Sequence, residues 1–142
     1  MINENFKVTG QVTIQKNGEV VRDIPNTIVT AGKNNIASLI TDAGTKMTHM
    51  AVGTGTTSVA AGNTALVTET DRNALSTSGG TPSTNTIVYA AVWAAGDGTG
   101  ALTEAGLFSA SSGGTMMART VFSAVNKAAG DILTITWTVT IS

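Results

Sequence analysis

The chain has 142 residues, a formal net charge of −1 with only 12% charged side chains, and no cysteine. That length suits one domain with a sizeable core, and the lack of cysteine excludes disulfides and thiolate chemistry. The sparse, balanced charge leaves no electrostatic footprint for nucleic acid or an anionic membrane, and no apolar run approaches the roughly eighteen residues that span a bilayer.

Met1-Ile2-Asn3-Glu4-Asn5 lacks a basic segment followed by an apolar one, so it reads as an N-terminal arm and not as a secretory leader. From Phe6 to Gln15, Phe6, Val8, Val12 and Ile14 alternate with polar residues, the pattern of a half-buried strand. Asn17-Gly18 supplies the two positive φ angles of a type I′ turn, which returns Glu19 to Ile24 as a hairpin partner until Pro25 breaks the ladder. Asn26 to Thr30 reads as extended. Over 33–43, Ile36, Leu39, Ile40 and Ala43 fall at helical spacing, and Gly44 stands where a glycine ends a helix.

Met47 to Val52 reads as a short strand. The following Gly53-Thr54-Gly55 is read as a plain turn, because neither a lysine nor a third glycine follows at the spacing of a phosphate loop. Thr64 to Leu75 fits neither period well, and Asn73 to Asn85 reads as a mobile surface loop. Thr86 to Ala95 is apolar at successive positions, which predicts a strand covered on both faces, in the middle of a sandwich or in a subunit interface. The remaining segments run from Leu102 to Phe108, Thr115 to Phe122 and Leu133 to Ile141. In the last, Leu133, Ile135, Trp137, Val139 and Ile141 alternate with threonines, which predicts a central strand and, with Phe108 and Phe122, the core. The sum is an all-β protein: a single antiparallel β-sandwich domain over 1–142, jelly-roll-like, with one short helix.

The residues offer little chemistry. His49, the single histidine, reads as a hydrogen-bonded strand residue. Glu69 and Asp71 lie two apart beside Arg72 and read as a solvated face, since a hard cation usually takes more oxygen ligands. Asp97 and Asp131 sit in Gly-containing turns, where aspartate bonds its own backbone. Glu104 lies inside a strand, and Arg119 on the adjoining strand is its natural structural ion-pair partner. Trp93, Trp137 and Tyr89 form a conceivable sugar-stacking platform, but the periodicity favours packing, and Met116-Met117 reads as adaptable packing. No catalytic, cofactor or metal site is read from the sequence, which points away from an enzyme.

Two stretches carry a resemblance. Asn26 to Gly32 with Met47 to Thr57, and Leu102 to Phe108 with Ala118 to Phe122 and the Thr-rich end, resemble small structural proteins of tailed bacteriophages over roughly half of the chain. Proteins that look like this include capsid decoration, or cement, proteins and tail-fibre or adaptor modules. The resemblance implies a virion location after assembly in the host cytoplasm and a role bridging major capsid subunits, with tail, neck or baseplate proteins as the alternative partners. It also implies a homo-oligomer, dimer or trimer, and transfers no catalytic residue. The segments expected at the interface are the arm with Met1 and Ile2, the loops bearing Thr54, Thr56 and Ser83, and Trp93. A carbohydrate-binding module is the remote alternative.

Overall fold

Ten strands and one helix make up the computed structural model, which describes residues 5–142. They are β1 (Val8–Lys16), β2 (Glu19–Pro25), β3 (Thr27–Ile28), α1 (Thr30–Ile40), β4 (His49–Gly53), β5 (Glu69–Ala74), β6 (Thr81–Ser83), β7 (Thr86–Trp93), β8 (Gly100–Phe108), β9 (Met116–Lys127) and β10 (Leu133–Ile141). Two five-stranded antiparallel sheets face each other, ordered β2-β1-β10-β7-β6 and β3-β9-β8-β4-β5. The fold is thus an all-β sandwich. First and last long strands are neighbours, as in a jelly roll, while the hairpins β1–β2, β6–β7, β4–β5 and β8–β9 each stay within one sheet.

The period-2 pattern places β10 in the middle of its sheet. Leu133, Ile135, Trp137 and Val139 are buried among Val12, Ile14, Tyr89, Ala91 and Trp93. Ile141 is only half-buried, because β10 ends there at the rim of the sandwich. Phe122 joins this main core, whereas Phe108 packs in a smaller cluster with Val29, Ala51, Leu66 and Met116. At the Asn17-Gly18 turn both residues have positive φ, +54° and +83°, and Val21 is the extra residue of a bulge between β1 and β2.

Several expectations are corrected. The helix runs Thr30–Ile40 and not 33–43: Val29 N–H still bonds Met117 O at the β9 edge, and the chain coils as soon as it leaves that edge. Its packed face is Gly32, Asn35 and Ile36, so Leu39 is exposed, Ile40 is 82% exposed and Ala43 lies beyond the helix. Asp42, not Gly44, takes the left-handed conformation. Phe6, ahead of β1, is 69% exposed because it projects past the end of the sandwich. Within the sandwich β7 is covered on one face, so of the two expected settings the middle of the sandwich does not apply. Tyr89, Ala91 and Trp93 point inward, whereas Val88, Ala90 and Val92 lie opposite Thr138, Thr136 and Thr134 on an outer face with no further layer among the described residues. The stretch expected as a mobile loop contains the edge strand β6, and Ser76 and Gly79 N–H bond Ala90 O and Met47 O.

Candidate functional site

Between β4 and β5 the chain runs from Thr54 to Thr68 without regular structure and without one charged residue. A loop of this length needs another source of order. It comes from Glu104, which is fully buried on β8 and points towards the loop. Its carboxylate accepts backbone N–H groups from Gly55 at 3.0 Å, Val67 at 3.0 Å and Thr68 at 2.7 Å. Arg119, buried on β9, donates to the same carboxylate from Nε at 3.1 Å and Nη2 at 2.9 Å. The guanidinium then reaches Thr57 O and Asn63 Oδ1, tying the middle of the loop as well.

The Gly53-Thr54-Gly55 stretch finds its explanation here. A Cβ on either glycine would meet Glu104 Oε1, so both are needed for the backbone to approach the carboxylate. Converging backbone N–H groups make an anion site, and the chain fills it with its own side chain. Burial by itself raises the Glu104 carboxyl, but the bonds from Thr68, Val67, Arg119 and Gly55 outweigh it and hold the group below its ordinary value. Thr54 and Thr56 stand exposed on the loop so ordered.

Other candidates separate. Glu69 pairs with Arg72 at 2.6 Å, and the Arg72 guanidinium lies 3.7 Å from the centre of the Phe108 ring. Asp71 does not join them. Thr70 is an extra residue at the β4–β5 register shift, which inverts the alternation and turns Asp71 towards Asp97 and Trp93. Asp97 is held by Asn73 Nδ2 at 2.7 Å and not by its own turn backbone, in contrast to Asp131, which accepts Ala128 N–H at 2.8 Å. His49 Nδ1 lies 2.8 Å from Thr48 Oγ1. Among the described residues no three His, Cys, Asp or Glu side chains are grouped to hold a metal ion.

Ser83 is exposed on β6, but Trp93 is fully buried, which removes it from any surface interface, and Tyr89 is buried with it. That also withdraws the aromatic platform on which sugar stacking would rest. Met1 and Ile2 lie outside the described residues. Sequence reasoning missed the buried Lys127, whose Nζ donates to Ala94 O at 2.9 Å; nothing in its strand pattern marks it. No helix is long and apolar enough to cross a membrane among the described residues. Comparison of the chain with protein-family models, curated proteins and solved structures finds no match in any of the three.

Proposed function

We propose that the protein is a structural component of a tailed-bacteriophage virion, a capsid decoration protein that bridges neighbouring major capsid subunits. The observation that carries this reading is the uncharged loop 54–68, held to the sandwich by a buried ion pair and three backbone hydrogen bonds. A loop ordered before contact loses little conformational entropy on binding, and one without charge is covered without stranding an unpaired ion. Binding to the closed shell and not to separated subunits stabilises the shell by mass action, so every bound copy opposes its opening.

The sequence resemblance supports a virion role, and the Thr-rich outer faces suit a protein packed against others. The test is its location and copy number in an imaged virion. Copies spread over the shell at capsomer junctions support the proposal. A single ring at the neck, baseplate or fibre would sink the decoration reading in favour of an adaptor.

A further inference from the structure

The end of β1 borders a groove that no element among the described residues fills. β1 pairs with β10 along its whole length, and Lys7 extends that ladder by exchanging both backbone bonds with Ser142. On its other side β1 pairs with β2 only from Gln11, opposite Pro25, and the last bond there runs from Asn26 N–H to Gly10 O. In an antiparallel ladder successive residues face opposite neighbours. Lys7 faces β10 and Gly10 faces the β2 side, so Val8 N–H and C=O point to the β2 side, beyond the point where β2 ends. Neither has a hydrogen-bond partner among the described residues.

What lies across from Val8 is α1. Lys33, Ile36, Ala37 and Ile40, one face of the helix, form the opposite wall of a groove of about 470 Å³ that Phe6 to Thr9 closes on the strand side. The lining is apolar apart from Thr9 and two lysines, Lys7 and Lys33, one on each wall, and no carboxylate lines it among the described residues. Phe6 and Ile40, the two most exposed large apolar side chains described, flank it. An open strand edge, apolar walls and two cations therefore coincide at one place.

We propose that this groove docks an extended segment of a partner protein, with apolar side chains flanked by carboxylates, which adds beside Val8 as a short strand between β1 and α1. Strand addition supplies the partners that Val8 lacks, and the walls select alternate apolar side chains. The two lysines select the flanking carboxylates and guide encounter. A helical occupant leaves the Val8 backbone unpaired, because its own N–H and C=O groups are already bonded internally. A second copy of this chain, laid face to face about a two-fold axis, brings the lysines of both grooves together without opposite charge.

The test uses synthetic peptides about ten residues long, within the range of natural strands, with alternating valine and threonine and glutamate at both ends. The protein is the full chain, and binding is read by fluorescence anisotropy and amide exchange. The acidic peptide is expected to bind saturably and to slow exchange of the Val8 amide. The same peptide N-methylated along one edge, or flanked by lysine, is expected to bind at least about tenfold more weakly, a loss of roughly 1.4 kcal/mol. Lys33→Glu, on the exposed helix face, leaves one cation and one carboxylate in the groove and is expected to abolish the preference for acidic over basic peptides while leaving circular dichroism unchanged. Absence of saturable binding, or equal binding of the N-methylated peptide, overturns the proposal. So does protection of Val8 in the free protein that rises with concentration, which identifies a second copy, or that vanishes when residues 1–4 are removed, which identifies the chain's own N-terminus. No virion enters this experiment, so its failure is separate from failure of the proposed function.

Discussion

Gly32 of α1 rests directly on the backbone of Met117 in β9, with no room for a side chain between them: a Cβ there would meet the Met117 carbonyl oxygen and lie 2.8 Å from its Cα. This contact sets how closely the helix lies on the sheet, and with it the wall of the groove beside β1. Gly32→Ala therefore sets two effects against each other. Alanine favours the helix by about 1 kcal/mol, but overpacking against backbone costs about 1–3 kcal/mol. A net loss of about 1 kcal/mol in urea denaturation is expected, with an unchanged m-value. A gain in stability would show that α1 moves off β9 freely.

Replacing Glu104 by alanine leaves Arg119 buried without its counter-charge and three backbone N–H groups without an acceptor. The expected cost is about 3–5 kcal/mol, with faster amide exchange at Gly55, Val67 and Thr68 of the loop than within sheet β3-β9-β8-β4-β5. The double variant Glu104→Ala with Arg119→Ala is expected to cost less than the sum of the singles. Strict additivity would show that the two residues act independently.

Acidity addresses the same residue. Folding holds the Glu104 carboxyl below its ordinary value of 4.5, so its contribution is full above that pH and is lost as pH falls through the lower folded value. A midpoint for acid unfolding that does not shift in Glu104→Gln, once normalised to stability at pH 7, counts against this assignment.

Asp71 has the opposite sign. Burial, then the hydrogen bond and charge of Asp97, raise its carboxyl above the ordinary 3.8, while the Asn73 amide first and the Asp71 hydrogen bond next lower Asp97. The folded state thus favours a proton on Asp71, an advantage present at low pH and lost as pH rises from 3.8 through the raised folded value. Asp71→Asn places a permanent donor opposite Asp97. Its melting temperature at pH 7 is expected to exceed the parent's, with the difference shrinking as pH falls towards 3.8. A lower melting temperature at pH 7 would contradict the pairing.

Trp137 separates volume from polarity. It is fully buried, and its indole Nε1 has no hydrogen-bond partner among the described residues. Trp137→Ala is expected to cost about 3–5 kcal/mol. Trp137→Phe keeps most of the apolar volume and removes an unsatisfied donor, so its cost is expected to stay below about 1.5 kcal/mol. A loss under about 1 kcal/mol for the alanine variant would place β10 at the periphery.

Local pattern by itself determined the all-β class, the Asn17-Gly18 hairpin and the inward faces of β1 and β10, because each depends on residues within a few positions of one another. It also named Arg119 as the natural partner of Glu104 should that side chain point inward, which the fold then decided. Tertiary structure decided the rest. The partners Glu104 takes from the loop lie 36 to 49 positions away in sequence, and no local period records them. One extra residue, Thr70, sends Asp71 to Asp97, a choice made by the register of β5 on β4. The outer apolar face of β7 has no covering layer among the described residues, since burial within the chain depends on whether anything packs above a face. And the helix buries a glycine and an asparagine while exposing Ile40, because close approach to β9 outweighs apolar surface on so short an element.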